Sequence, residues 1–545
     1  MDDQPSNPRR KGSSLVALCR VSPIRYPALP PFDPSESYPE LVGDPTYGSE
    51  KNDVYRAVRD VLSVLKLDKM NLGTSRWNPL RDLVEEGGSL VIKPNLVSEP
   101  RIRTVSSESI TTHGSVIRPL IDYGLKAVGD DGEVIVADAP QFDSNFDEIV
   151  RLNGLSKTIN ILSERHGRKI QLLDLRAECV KIEDGVVTGR IQREGDPRGY
   201  TLVDLGEMSM LQELQGESGR FRGSDYDRSA TVSHHLNGKH EYSISNTVLT
   251  SDCIINVPKL KTHEKAGVTL NLKNFVGING HKNLIPHYRM GHSGIGGDEM
   301  SVASAKTRAL SKVYDLAQSI LPRAGHIGTR FMRILRSVDE RLLTDNPGFQ
   351  RAGAWWGNDT LWRCILDLSF IAHMAGEGGV ISDHRVRTLF SVVDGVVAGE
   401  GNGPHAPTAR YEGVVVGGGD LIAVDLVAIS LMGYDSGQFR SYSRLSNSPL
   451  GSISSTDVEP IEVLSPGQSP RTINQVKNDV TLPFELADGW KEATKSVHAM
   501  SHRIHGVGPG PIPQHHGEHQ GRELQARKRA GAPDPPPTKD IGKIE

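Results

Sequence analysis

The sequence predicts an α/β fold with a mainly parallel sheet flanked by helices, to which a helical insertion and a β-hairpin are added. Two observations carry this prediction. Short apolar runs alternate with segments of helical periodicity along the middle of the chain, the order that parallel strand pairing requires. The chain is also long, at 545 residues, which suits about three domains or one large domain with added segments, and its 56 Gly and 33 Pro residues make turns plentiful.

Each element is predicted from a local pattern. Short apolar runs bounded by turn residues predict strands, and apolar residues spaced three and four apart predict helices. The predicted strands are 15–19, 89–92, 133–137, 252–257, 388–393 and 411–416. The predicted helices are 53–66, 116–128, 146–155, 361–375 and 421–431.

Composition divides the chain into a core and flanking segments. Both ends are polar, and the C-terminal end is rich in Gly, Pro and His. Such segments bury too little apolar surface to fold. The predicted regions are a disordered leader (1–13), an α/β core (14–440) with a hairpin (180–200) and a basic helical insertion (304–343), a small extension (441–497) and a disordered tail (498–545).

The charge and cysteine content argue against several classes of protein. Lys and Arg total 63 against 67 Asp and Glu, a net charge of -4, whereas nucleic-acid binding depends on positive charge. Cys19, Cys179, Cys253 and Cys364 are far apart, so we expect neither a disulfide framework nor an iron–sulfur cluster. The chain has no run of about 18 apolar residues for a membrane-spanning helix. We therefore expect a cytoplasmic protein.

Cationic side chains follow the strand predicted over 252–257. Lys259, Lys261 and His263 come just past its C-terminal end. In open α/β sheets, ligands bind at this edge. Ammonium and imidazole donors suit a phosphate or carboxylate group, so we predict a site for a small anionic molecule.

The next stretch, Val268–Asn274, alternates apolar and polar residues. As a strand, it presents Thr269, Asn271 and Lys273 on one face and packs the other. As a helix, it scatters these side chains, and as an ordinary surface strand it leaves them in solvent. We favour the strand that presents polar groups to a ligand, because a second polar cluster is adjacent in sequence.

Further polar residues follow other predicted strands. Lys93 and Asn95 come after one strand, and Asp138 and Asp394 each follow another. A carboxylate at the end of a buried strand must be paired or must bind something. Glu400 lies in a Gly-rich loop that lacks the Gly-Lys-Ser/Thr ending of a phosphate-binding P-loop.

Carboxylates in this set also make a divalent metal a hypothesis. Hard cations such as Mg²⁺ take oxygen ligands from Asp and Glu. The candidate ligands are Asp138 and Asp394 at strand ends and Asp425 in the predicted helix over 421–431.

Five motifs in this order resemble the domain of unknown function 362 family. They are VIKPN, NVPKLKTH, TLNLKNFVG, EGNGP and DLIAVD, within residues 85–435. The resemblance implies that the polar residues of these motifs form one site, but it implies no reaction. Some members of the family carry a Cys-rich ferredoxin-like module, which this chain lacks, so no iron–sulfur cluster is carried over.

We predict an enzyme that acts on a small anionic substrate, phosphorylated or carboxylated, with Mg²⁺ as a candidate cofactor. His263 is the predicted general acid or base, and Asp394 and Glu400 bind the metal or move protons. The predicted substrate-binding residues are Lys93, Asn95, Lys259, Lys261, Thr269, Asn271, Lys273 and Asn274.

Two alternatives remain open. The same groups suit a non-catalytic module that binds an anionic ligand or a redox partner. The basic helices predicted over 304–343 suit contact with an anionic membrane surface.

Overall fold

The computed structural model describes residues 14–41, 50–183, 186–223, 228–320, 330, 334, 349–453 and 460–492. The strands in these ranges are β1 Ser14–Arg20, β2 Ser89–Pro94, β3 Glu133–Asp138, β4 Gln171–Asp174, β5 Glu178–Glu183, β6 Val186–Gln192, β7 Tyr200–Asp204, β8 Phe221–Arg222, β9 Glu241–Ser245, β10 Cys253–Val257, β11 Lys259–His263, β12 Gly267–Thr269, β13 Tyr288–Arg289, β14 Thr388–Asn402, β15 Ala406–Gly418, β16 Ile461–Leu464 and β17 Arg471–Thr472. The α-helices are α1 Asp53–Val64, α2 Gly114–Val128, α3 Phe146–Leu152, α4 Leu155–His166, α5 Arg228–Ser233, α6 Asn246–Leu249, α7 Asn271–Asn274, α8 Ala305–Ile320, α9 Leu361–Met374, α10 Leu421–Leu431, α11 Arg440–Ser443, α12 Pro449–Ser452 and α13 Ile473–Asn478.

A large mixed sheet forms the centre of the fold. Its strands run in the order β17-β16-β1-β15-β14-β10-β2-β3-β4, and β11 joins it through β14 and carries β12. Pairing is parallel from β14 through β10, β2 and β3 to β4, whereas the β14–β15 hairpin and the β15–β1 pair are antiparallel. The predicted α/β class with a mainly parallel sheet is confirmed.

Helices cover both faces of the sheet, and the strand residues alternate between them. In β2, Leu90 and Ile92 pack with α1 to α4 on one face, and Val91 packs with α9 and α10 on the other. In β10, Ile255 lies on the same face as Leu90 and Ile92, and Ile254 lies on the same face as Val91. Because both faces are buried, these strands are apolar throughout, which is why short apolar runs predicted them.

The added segments are partly described. The hairpin predicted over 180–200 is formed by β5 and β6, which pair antiparallel, while its last residue begins β7. Helix α8 begins the predicted insertion, and most of 321–343 lies outside the described residues, as do 1–13 and 498–545. The segment predicted as an extension, 441–497, adds β16 and β17 to the main sheet through β1. None of the described helices is long and apolar enough to cross a bilayer.

One local prediction was wrong. Val268–Asn274 is not one strand, because β12 ends at Thr269 and α7 begins at Asn271. Lys259–His263, just past the end of β10, forms strand β11, which pairs with the part of β14 that extends past the core. Pro258 has no N–H to donate to the sheet, and it separates β11 from β10.

Candidate functional site

A cavity of about 330 Å³ lies at the carboxyl ends of β2 and β3. This is the sheet edge at which α/β proteins bind ligands, and the volume suits a small molecule. The predicted site residues that line it are Asn95, Asp138, His263, Lys273 and Asn274.

Lys273 places an ammonium group in this cavity from the short helix α7. Its side chain is half-buried, and its Nζ makes no hydrogen bond or salt bridge within the described part of the chain. Burial, together with the positive charge of Lys93, lowers the pKa of Lys273 to about 8. An ammonium without an acceptor is costly away from water, so this group is suited to receive an anion.

Two more lysines add positive charge to the cavity. Burial lowers the pKa of Lys282 to about 7, against the opposing effect of Asp138, and its Nζ donates to Val276 O at 3.2 Å. Burial also lowers the pKa of Lys265, whose Nζ lies 5.7 Å from the centre of the Tyr288 ring.

Asp138, by contrast, is fully engaged. Its Oδ1 accepts from Lys93 Nζ at 2.7 Å, and its Oδ2 accepts from the backbone N–H of Leu96 at 2.7 Å. A second cavity carboxylate, Asp143, is paired with Arg101 at 2.5 Å. These pairs neutralise both carboxylates, so the cationic character of the cavity comes from the lysines.

His263 lines the cavity as a neutral side chain. Its Nδ1 accepts from the backbone N–H groups of Lys265 at 3.0 Å and Ala266 at 3.1 Å, so the ring proton sits on Nε2. Burial lowers the pKa of His263 well below its usual value, and the charges of Lys273 and Lys261 lower it further. At neutral pH His263 is therefore a neutral hydrogen-bond donor, and its role as a general acid or base stays a prediction.

A chain of side-chain amides connects the cavity to the interior. Asn95 donates to Asn274 at 3.2 Å, Asn274 donates to Asn256 at 2.7 Å, and Asn256 donates to Asn271 at 3.1 Å. Asn271 donates in turn to Asp425 Oδ1 at 2.8 Å. Asn271 therefore holds α7 in position through its contacts with the interior, and it does not line the cavity.

Lys259 and Asp394 belong to a buried network that does not line the cavity. Lys259 Nζ donates to Asp394 Oδ2 at 2.9 Å and to the Tyr26 hydroxyl at 2.7 Å. The hydroxyl donates to Asp394 Oδ1 at 2.6 Å, and the backbone N–H of His113 donates to Oδ2 at 3.0 Å. Both charged side chains are fully buried, so their contacts support a structural role.

The remaining predicted residues also lie outside the cavity lining. Lys261 is buried and its Nζ donates to Ile110 O, while Thr269 is buried opposite it on β12. Glu400 lies further along β14, where its Oε2 accepts from Arg410 at 3.0 Å. The structure therefore does not bring Asp394 and Glu400 into contact with His263 at the cavity.

The three predicted metal ligands are held apart by separate partners. Asp138 binds Lys93, Asp394 binds Lys259, and Asp425 accepts from the backbone N–H of Asn271 at 2.9 Å. Within the described ranges, no group of three or more His, Cys, Asp or Glu side chains has the arrangement of a metal site. Mg²⁺ stays a prediction from the sequence.

Residues 175–430 match the model of a family described as Domain of unknown function (DUF362). The resemblance to DUF362 is thereby confirmed over this stretch, which contains His263, Lys273 and Glu400 but not Lys93 or Asp138. No curated protein and no solved structure matches the chain.

Sequence reasoning missed several cavity residues, most of them inside the DUF362 match. Lys265 follows His263 by two positions, and Lys282 follows the Gly-rich stretch after α7. Because both lie close in sequence to the motifs, they could have been predicted as site residues. The missed residues that line the cavity are Arg101, Lys265, Lys282, His287 and His405.

Proposed function

We propose that this chain is an enzyme that acts on a small anionic substrate, phosphorylated or carboxylated, held in the cavity at the ends of β2 and β3. The observation that carries the proposal is the position of Lys273. Its ammonium faces the cavity without an acceptor among the described residues, and Lys265 and Lys282 line the same space.

The charge balance around the cavity supports an anionic ligand. The lining carboxylates are Asp138, Asp143 and Glu264, and the first two are already paired. Burial raises the pKa of Glu264, and the charge of Lys265 opposes this effect. A phosphate or carboxylate group supplies the acceptor that Lys273 lacks among the described residues.

The proposed chemistry gives two of the predicted residues, His263 and Lys273, other roles. His263 donates a hydrogen bond to the substrate from Nε2, because its Nδ1 is occupied by two backbone N–H groups. Lys273, whose pKa is lowered to about 8, takes or gives a proton near neutral pH.

A non-catalytic module that binds an anionic ligand is the second candidate. The observation that favours it is the separation of the predicted acid–base groups: Asp394 is engaged with Lys259, and Glu400 with Arg410. Turnover of a bound anion distinguishes the enzyme from the module.

The proposal is tested by thermal unfolding with phosphate, glycerol 3-phosphate, phosphoenolpyruvate and citrate, each with and without MgCl₂. We expect at least one anion, but not glycerol, to raise the melting temperature, because a ligand that binds only the folded state stabilises it. Lys273→Met should abolish this shift. Lys239→Met, which removes an exposed lysine paired with Glu241, is the matched control.

Failure of every anion to stabilise the protein, or equal shifts in the two variants, contradicts the proposal. A shift that requires MgCl₂ supports the predicted metal. For an anion that binds, NMR detection of its conversion supports the enzyme, and loss of conversion in His263→Asn supports the role of Nε2. Binding without conversion supports the module.

The cytoplasmic location is also a proposal, and it rests on the wide spacing of the four cysteines. Fractionation of cells that produce the full chain tests it.

A further inference from the structure

We propose that Lys273 is a nucleophile that forms an imine with its substrate, which therefore carries a carbonyl carbon as well as a phosphate or carboxylate group. This inference rests on the proposed function, because the cavity must first hold the anionic group; Lys265 and Lys282, which line the same cavity, are the cations left for that group when Lys273 reacts as a neutral amine. It assigns the substrate class and a covalent step to the same site.

Lys273 differs from Lys93, Lys259 and Lys261 in access to the cavity. Lys93 and Lys259 are fully buried, and each is hydrogen-bonded to a carboxylate. Burial lowers the pKa of each lysine, and the carboxylate opposes this effect. Lys261 is fully buried as well and does not line the cavity. Lys265 and Lys282 also line the cavity, but Lys282 Nζ donates to Val276 O and Lys265 Nζ lies beside the Tyr288 ring. Lys273 Nζ makes no hydrogen bond or salt bridge within the described residues.

The backbone that carries Lys273 is held firmly. Asp425 accepts from the backbone N–H of Asn271 at 2.9 Å and of Leu272 at 3.1 Å, which are the first two residues of α7. The side-chain amide of Asn271 donates to the same carboxyl group. A nucleophile on a fixed backbone is presented to a bound carbonyl in a constant position.

The electrostatic surroundings favour the reactive form of this amine. Burial and the charge of Lys93 lower the pKa of Lys273 to about 8, so about a tenth of it is unprotonated at pH 7. For an ordinary lysine the unprotonated part is about one in three thousand. Lysines become nucleophiles when they are desolvated or placed beside another cation, and both conditions hold here.

The proposed step balances without an oxidant or a metal. The lone pair of the neutral Lys273 Nζ attacks the carbonyl carbon, the carbonyl π electrons move to oxygen, and one proton passes from nitrogen to that oxygen to give a carbinolamine. The second nitrogen proton then passes to the same oxygen, the C–O bond breaks as the nitrogen lone pair forms the C=N bond, and the oxygen leaves as water. The His263 Nε2–H is a cavity donor that can hydrogen-bond to this oxygen.

Reductive trapping tests the inference on the full chain. The protein is incubated with pyruvate or dihydroxyacetone phosphate and sodium cyanoborohydride, which reduces an imine to a stable amine, and the modified lysine is identified by peptide mass spectrometry. We expect Lys273 to be labelled at least tenfold faster than Lys239. Acetone, which has a carbonyl but no anionic group, should not show this preference.

Lys273→Arg separates the nucleophile from the charge. It should lose the label and still give the thermal shift with phosphate, whereas Lys239→Arg should keep both. Labelling spread equally over exposed lysines, or retained in Lys273→Arg, overturns the inference.

The two proposals fail in different ways. Anions that stabilise the protein while neither carbonyl probe labels Lys273 overturn the imine and leave the proposed function standing. No stabilisation by any anion and no selective label overturn both.

Discussion

Gly277 lies so close to Asp138 that no side chain fits there: a Cβ atom on Gly277 would be 1.9 Å from Asp138 Oδ1 and 2.6 Å from Lys93 Nζ. Gly277 O also accepts from the backbone N–H of Ala139 at 2.9 Å. The glycine that ends the TLNLKNFVG motif therefore packs against the ion pair of Lys93 and Asp138, and Asp138 lines the cavity.

Gly277→Ala should lower the free energy of unfolding by about 2–3 kcal/mol, because the added methyl group must displace a buried ion pair. Urea unfolding measures this change. Gly216→Ala is the matched control, since nothing lies within 4 Å of a Cβ at that position. Equal stability of the two variants would show that the ion pair can move aside for the methyl group without loss of stability.

Lys93→Met should cost about 3–5 kcal/mol of stability, because it leaves the Asp138 carboxylate buried without its cation. Lys93→Met combined with Asp138→Asn should cost less than the sum of the two single changes. A double-mutant cycle by urea unfolding measures this coupling. Additive effects would mean that the contact at 2.7 Å contributes nothing.

Asp394→Asn should destabilise the fold by about 3–5 kcal/mol and leave anion affinity unchanged, because Lys259 loses its charge partner in a network that does not line the cavity. Unfolding and calorimetric titration with the best anion measure the two quantities. Glu400→Gln should likewise leave affinity unchanged. Weaker anion binding by a folded Asp394→Asn variant would support the prediction that Asp394 belongs to the functional site.

The sheet was largely predictable from sequence because its strands are buried on both faces. Burial on both sides requires consecutive apolar residues, as in β2 and β10, and such runs are visible without a structure. Helix α1 was predicted for a related reason, since one face of it is apolar at helical spacing.

Helix α7 could not be predicted, because it is stabilised by a residue far away in the sequence. The N–H groups of Asn271 and Leu272 are satisfied by Asp425, which lies more than 150 positions later in the chain. The local alternation of apolar and polar residues favoured a strand, and a tertiary hydrogen bond overrode it.

The site was predicted only in part, because contacts between distant parts of the chain also decide which side chains line the cavity. Strand ends placed Asn95 and Asp138 at the cavity, because the carboxyl ends of parallel strands meet at one edge. Residue type alone did not separate Lys273, which faces the cavity, from Lys259, which is buried against a carboxylate. That difference depends on contacts between elements far apart in sequence.

Lys273→Met should raise the free energy of unfolding by about 1–3 kcal/mol at pH 7. The pKa of Lys273 is lowered to about 8 in the folded protein, so the unfolded chain binds its proton more tightly and stability rises with pH between about 8 and 10. The variant should lack this rise. Urea unfolding at pH 7 and pH 9.5, with Lys239→Met as control, measures both effects, and a destabilised Lys273→Met would contradict them.

Anion affinity should fall as the pH rises through about 8. The ammonium form of Lys273 binds the anion, and its pKa of about 8 means that affinity at pH 9 is about tenfold below its value when Lys273 is fully charged. Lys282, with a pKa of about 7, adds a decline at lower pH. Lys273→Arg keeps its charge throughout, so it should retain the decline caused by Lys282 and lose the one near pH 8. Calorimetric titrations from pH 6 to 9.5 give the two curves, and identical curves for the variant and the native chain would exclude Lys273 from anion binding.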